Sequence, residues 1–119
     1  MEQVLTAAAL LGLAVSSPPA SMQLVLPLSG DAERKVITYH CEGVENPFDV
    51  EYINAAPNFL ALVPVGGDRL IFASGLAADG TRYSSGPFEW WAHGTDATFA
   101  DLRQQPAEPV DCSEMNETP

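Results

Sequence analysis

Two cysteines, Cys41 and Cys112, are the only ones in a chain of 119 residues. An even cysteine count in a short exported chain reads as a disulfide framework, and two cysteines allow one pairing. Closing a loop that long stabilises a fold by roughly 4 kcal/mol in the chain-entropy account. No Cys-x-x-Cys pair is present, so a zinc site is poorly supported and no cofactor is expected.

The residues between the cysteines narrow the fold class. Phe48–Ile53 alternates Phe48, Val50 and Tyr52 against Asp49 and Glu51, a period of two that fixes one buried strand face. Lys35–Cys41 alternates in the same way, setting Ile37, Tyr39 and Cys41 against Val36, Thr38 and His40. Asn58–Val65 is a nearly continuous apolar run, which suits a strand buried on both faces. Gly66-Gly67-Asp68 reads as a tight turn and Asp79-Gly80 as a two-residue hairpin signal. Arg69–Ser74, Thr81–Ser84, Phe88–His93 and Ala97–Phe99 complete the strand-like segments. No window from 35 to 112 carries a sustained 3.6-residue apolar period of helical length, although Thr98–Gln105 has room for one or two turns before Pro106. Short strands at 8–12-residue spacing point to an all-β antiparallel barrel or sandwich.

The N-terminus reads differently. Residues 4–15 form an apolar run of signal-peptide length, too short to span a bilayer, followed by the small residues Ser16, Ser17 and Ala20. Residues 1–20 are therefore expected to be a signal peptide, with a periplasmic or secreted destination. A buried helix of a cytoplasmic protein is the structural alternative, and Met1-Glu2-Gln3 lacks the usual basic residue. No cysteine follows the apolar run, so no stable membrane anchor is expected. Residues 21–34 read as a linker or an edge strand, with Pro27 arguing against a central strand. The folded domain is expected over 35–112, and an acidic tail over 113–119.

The chain carries 16 acidic and 5 basic residues, a formal charge of −11. Nucleic-acid phosphates and anionic headgroups need a basic patch, so both partners are disfavoured. A basic protein would be attracted at long range. The structural alternative is that the acidity only maintains solubility.

Several segments, taken in order, resemble one known family. Tyr39-His40-Cys41-Glu42-Gly43 and Phe48-Asp49-Val50-Glu51-Tyr52-Ile53-Asn54 resemble the opening of the C-type lysozyme inhibitors, called MliC when lipid-anchored and PliC when periplasmic. Ala77-Ala78-Asp79-Gly80-Thr81-Arg82-Tyr83 looks like that family's SxxGxxY signature. Phe88-Glu89-Trp90-Trp91-Ala92-His93-Gly94 looks like its YxxxTKG signature. The resemblance runs from about residue 36 to 112. It implies a small antiparallel β-barrel of about eight strands, closed by Cys41–Cys112, with a C-type lysozyme as partner. It also implies that the two signatures form loops entering the lysozyme active-site cleft. There a hydroxyl and an ammonium engage the two carboxylates that glycoside cleavage requires.

On these positions the lysozyme-binding residues are expected to be Ala77, Asp79, Gly80, Arg82, Tyr83, Phe88, Ala92, His93 and Gly94. The chain departs from the signatures at four of them: Ala77 replaces Ser, Phe88 replaces Tyr, Ala92 replaces Thr and His93 replaces Lys. A protonated His93 would restore the cation. Each position also has a purely structural reading: Gly80 as a turn glycine, Tyr83 as a hairpin residue, His93 as a surface histidine. Of Trp90-Trp91, one indole is expected in the core and the other outside as a candidate contact. The alternative function is a degenerate family member that binds another envelope protein or glycan. An enzyme ranks last, because no nucleophile, His and Asp grouping with a recognisable motif is present.

Overall fold

The alternation in Phe48–Ile53 sets the orientation of the whole sheet. Val50 and Tyr52 are buried, while Asp49 beside Val50 is exposed. A computed structural model describes residues 19–115, and residues 1–18 and 116–119 lie outside that range. The expected signal peptide falls almost entirely among those outside residues.

Eight strands follow one another among the described residues: β1 (Glu33–Cys41), β2 (Phe48–Ala55), β3 (Asn58–Val65), β4 (Asp68–Gly75), β5 (Thr81–Ser85), β6 (Phe88–His93), β7 (Asp96–Asp101) and β8 (Val110–Glu114). Each pairs antiparallel with the next, and β8 returns to β1, giving a closed barrel. The all-β barrel with one Cys41–Cys112 disulfide is thus the observed fold. The closing ladder has three register pairs, Tyr39↔Glu114, His40↔Ser113 and Cys41↔Cys112, so the disulfide lies within the seam itself. A closed barrel has no unpaired strand edge to protect from other chains.

Three local expectations change. β1 begins at Glu33, and residues 19–32 form no strand. Asp79-Gly80 is not a two-residue hairpin, because β4 stops at Gly75 and a five-residue loop, Leu76–Gly80, precedes β5. Thr98–Gln105 contains no helical turn: β7 takes Thr98–Asp101 as strand, and turns carry the chain to Pro106. The pairing of Trp90↔Phe99 and Phe99↔Val110 accounts for the extended backbone there. At the other end of the molecule the Gly66-Gly67 turn is as expected, with φ of 60° and 91°. Two successive positive φ values match a tight hairpin that only glycine adopts without strain.

Inward-facing side chains form one core: Tyr39, Val50, Tyr52, Ala61, Val63, Phe72, Tyr83, Trp90 and Ala97 all lie within it. The polar tips in this core are satisfied. The Trp90 indole N–H donates to the Tyr52 hydroxyl at 2.9 Å, and the Tyr39 and Tyr52 hydroxyls share a hydrogen bond of 2.7 Å. Tyr39 also meets Trp90 edge to face at 5.0 Å. Burial pushes the phenol titrations of Tyr39, Tyr52 and Tyr83 upward.

The outer wall has its own organisation. Glu51 points outward yet is only 8% exposed. Arg34 from β1 and Arg69 from β4 both donate to its carboxylate, joining strands on either side of β2 and β3. Nearby, Met22, Leu24, Leu26 and Leu28 of the N-terminal arm lie along Ile53, Leu60, Leu62 and Ile71, bounding an apolar crevice of about 410 Å³.

Two outcomes follow. Replacing both cysteines with serine should cost about 4 kcal/mol of unfolding free energy, measured by denaturant melts. The hydrogen bond from Arg34, with the charges of both arginines, holds the Glu51 carboxyl below its usual range against the opposing effect of burial. Its folded value therefore lies below its unfolded one, so its contribution is complete above the unfolded value and lost as pH falls through the folded one. Thermal melts should find Glu51→Gln less stable than wild type at pH 7, with the gap narrowing as pH falls below about 4.

Candidate functional site

One end of the barrel gathers the loop β4–β5 (Leu76–Gly80) and the turn β6–β7 (Gly94-Thr95). The β5–β6 register brings them together. Thr81 pairs with Ala92, Arg82 with Trp91 and Tyr83 with Trp90. Residues of the two signatures thus become direct cross-strand neighbours although they are about ten apart in sequence.

Alternation then sorts the side chains. Trp90 points inward and is fully buried, while Trp91 points outward, as one of the pair was expected to do. The Arg82 guanidinium lies over the Trp91 ring, 4.0 Å from its centroid, a favourable cation–π arrangement. Glu89 Oε2 approaches Arg82 Nε at 3.4 Å, and that buried N–H has no hydrogen bond of good geometry. His93 stacks on the other side of the cluster, its ring 5.0 Å from Trp91. Trp91 Nε1 donates to the Asp79 carbonyl oxygen at 2.7 Å, which ties the loop to β6. Asp79 Oδ2 lies 3.7 Å from His93 Nδ1, an ion pair when the imidazole is protonated.

Gly80 is the position where backbone freedom matters. Its φ is +68°, and a Cβ there would meet the Ala92 carbonyl oxygen at 2.4 Å. The loop can press against β6 only because residue 80 has no side chain. Leu76, the first residue of the loop, is 97% exposed. Beside His93 runs a groove of about 430 Å³ lined by Asp96, Thr98, Asp111 and Ser113, which presents carboxylates to solvent.

The nine expected site residues therefore divide. Ala77, Asp79, Gly80, Arg82, Ala92, His93 and Gly94 lie at this end of the barrel. Tyr83 does not reach the surface: it is 5% exposed and packs with its ring 5.7 Å from Tyr52. It faces inward because it alternates with the outward Arg82. Phe88 stands at the start of β6, about 17 Å of extended strand from His93. There it stacks on Phe99 beneath the Arg103 guanidinium, at the opposite end of the barrel.

Sequence reasoning did not foresee the brace from Trp91 to Asp79 or the exposed Leu76. The Arg82–Trp91 contact depends on a hairpin register that the residue pattern leaves open. Leu76 carried a signal, an isolated leucine just after Gly75, but it also suits a strand end.

The family described as membrane-bound lysozyme-inhibitor of c-type lysozyme matches residues 39–108. A membrane-bound lysozyme inhibitor of C-type lysozyme from Pseudomonas aeruginosa is 36% identical over 94 residues, covering 75% of this chain and 73% of the relative. One from Cupriavidus necator is 33% identical over 70 residues, covering 59% of this chain and 55% of the relative. The crystal structure of Pseudomonas aeruginosa MliC in complex with hen egg white lysozyme superposes with a TM-score of 0.70 at 30% identity. That match covers 83% of this chain and 100% of that one.

Gly80→Ala should force the loop away from β6. The cost is about 1–3 kcal/mol, the usual range for a strained backbone position. Thermal melts should record the loss, and Trp91 fluorescence should change as its hydrogen bond to Asp79 is released.

Proposed function

The chain belongs to the family of membrane-bound lysozyme inhibitors of C-type lysozyme, and from that membership we propose that it is an exported inhibitor of a C-type lysozyme. The observation that carries this reading is the convergence of both signature segments on one end of the barrel, around Arg82, Trp91 and His93. In the proposed complex the Leu76–Gly80 loop and the His93-Gly94 turn enter the lysozyme cleft. A relative of this fold was crystallised in complex with hen egg white lysozyme, which supports the choice of partner.

The chemistry of the loops differs from the family signatures, and the proposal assigns the work accordingly. Arg82 is a permanent cation at this end, and Trp91 limits the directions its guanidinium can take. His93 stands at the signature Lys position and adds a second cation when protonated. Either can pair with a catalytic carboxylate of the target, and removing one carboxylate from service stops glycoside cleavage. Leu76 supplies an exposed apolar anchor at the start of the loop. The acidic charge, −10 once residues 1–20 with Glu2 are removed, steers the inhibitor toward a basic enzyme, and Asp96 and Asp111 lie beside His93. Residues 1–20 as a signal peptide would deliver the domain to the periplasm, where the disulfide can form.

Ala77 in place of the signature Ser, and the added Asp79 carboxylate, favour a second reading. In it the protein keeps the barrel and binds another envelope protein or a glycan.

The oxidised protein should slow lysis of bacterial cell walls by hen egg white lysozyme, and the effect should weaken steeply as salt rises. His93→Lys should strengthen inhibition by about tenfold, one good charge-assisted hydrogen bond. A folded protein that fails to inhibit at large molar excess, with His93→Lys equally inert, moves the conclusion to the second reading.

A further inference from the structure

The end of the barrel away from Leu76–Gly80 and His93 is not filled. The core is closed at its centre by large rings, with Tyr39, Phe72 and Trp90 all fully buried. Beyond Trp90 the inward positions are apolar and only partly buried at Phe48, Val65, Phe99 and Val110, with Cys41 and Val63 deeper. An apolar cavity of about 710 Å³, open to solvent at the barrel mouth, lies over the buried Trp90, Val63 and Cys41. Its mouth lies between the β1–β2 loop, at Val44 and Asn46, and the β3–β4 turn at Gly66-Gly67.

We propose that this cavity is a binding site for a neutral, mainly hydrocarbon small molecule. Three observations carry the proposal. The volume lies within the roughly 300–1,000 Å³ of small-ligand sites. The lining contains no charged side chain, in a chain where 18% of residues are charged, and Asn46 at the rim is its one polar side chain of amide or hydroxyl type. An ionised ligand would therefore lose hydration without gaining a partner, whereas a neutral hydrocarbon loses nothing. Lastly, the walls are fixed before a ligand arrives: the disulfide holds Cys41 at one side, and Trp90 is hydrogen-bonded to Tyr52 beneath. A site that needs no ordering on binding keeps more of its hydrophobic gain. The site is separate from the proposed lysozyme-binding end and does not rest on that reading.

The test uses the full oxidised protein and the neutral probe N-phenyl-1-naphthylamine. Saturable fluorescence enhancement of at least several-fold, at one probe per chain, is the expected result. 1-Decanol should displace the probe at least tenfold more effectively than decanoate at pH 8, because the lining offers the carboxylate no partner. Val65→Trp fills the cavity and should reduce probe affinity at least tenfold while lysozyme inhibition is unchanged. Should Val65→Trp fail to fold, Val44→Glu places a charge at the exposed rim and should weaken probe binding in the same direction. Absence of saturable enhancement, displacement by decanoate as good as by decanol, or binding indifferent to a folded variant would each overturn the proposal.

Discussion

Cys41 and Cys112 sit opposite each other in the ladder that turns a sheet into a barrel. That ladder has three register pairs, whereas β1 and β2 share seven. Without closure, β1 and β8 would both present free edges, and the inward-facing rings would lose one of their walls. The covalent link therefore acts where the non-covalent pairing is thinnest. It joins residues 71 apart, so it removes much of the freedom of the unfolded chain at the same time. The hydrogen bonds of Glu42 N to Asp111 O and Met115 N to Thr38 O extend the seam on either side of the disulfide.

A second ladder with only three pairs, β4–β5, leads into the Leu76–Gly80 loop. Here no covalent bond helps. The loop is instead held by Gly80 pressed against the Ala92 carbonyl and by the Trp91 indole donating to Asp79. Both supports come from β6, the strand that also carries His93. The two signature segments are therefore one structural unit, and a change in either moves the other. The conformation of the loop is a property of the β5–β6 register, which is set in turn by burial of Tyr83 and Trp90.

Much of this was legible in the residues. A period of two gave Phe48–Ile53 its faces, and cysteine arithmetic gave the staple. The order of signature segments gave the family and the barrel, and it named most of the residues that gather at the end proposed to meet lysozyme. What was not legible depends on register and on barrel height. Phe88 and His93 belong to one signature yet lie at opposite ends of β6, because six extended residues traverse most of the barrel. Tyr83 reads as a loop residue, but its parity with Trp90 across the hairpin sends it inward. Glu51 alternates outward and so reads as a solvated acid. Its burial comes from Arg34 and Arg69, which approach from strands 17 and 18 residues away in sequence. The empty barrel end was hidden for the same reason: apolar alternation gives the direction of a side chain and says nothing of whether the opposite wall is within reach.

Charge placement links the scaffold to the proposed inhibition. Five basic residues must serve a chain with sixteen acids. Arg34 and Arg69 are committed to Glu51, and Arg103 to Asp101. That leaves Lys35 and Arg82, and of these Arg82 stands beside the loop that is proposed to enter the target. Its partner Glu89 is 3.4 Å away without a well-formed hydrogen bond, so the guanidinium is not saturated by its own chain. The acidic surface contributes to encounter, where long-range attraction counts. A cation held at the point of insertion contributes to the final contact, where a carboxylate has lost its water. Arg82 on β5 stands one strand across from His93 at the end of β6, on the same outer face of the same hairpin. Both flank Trp91, so in the proposed inhibition Arg82 and His93 have to be considered as a pair.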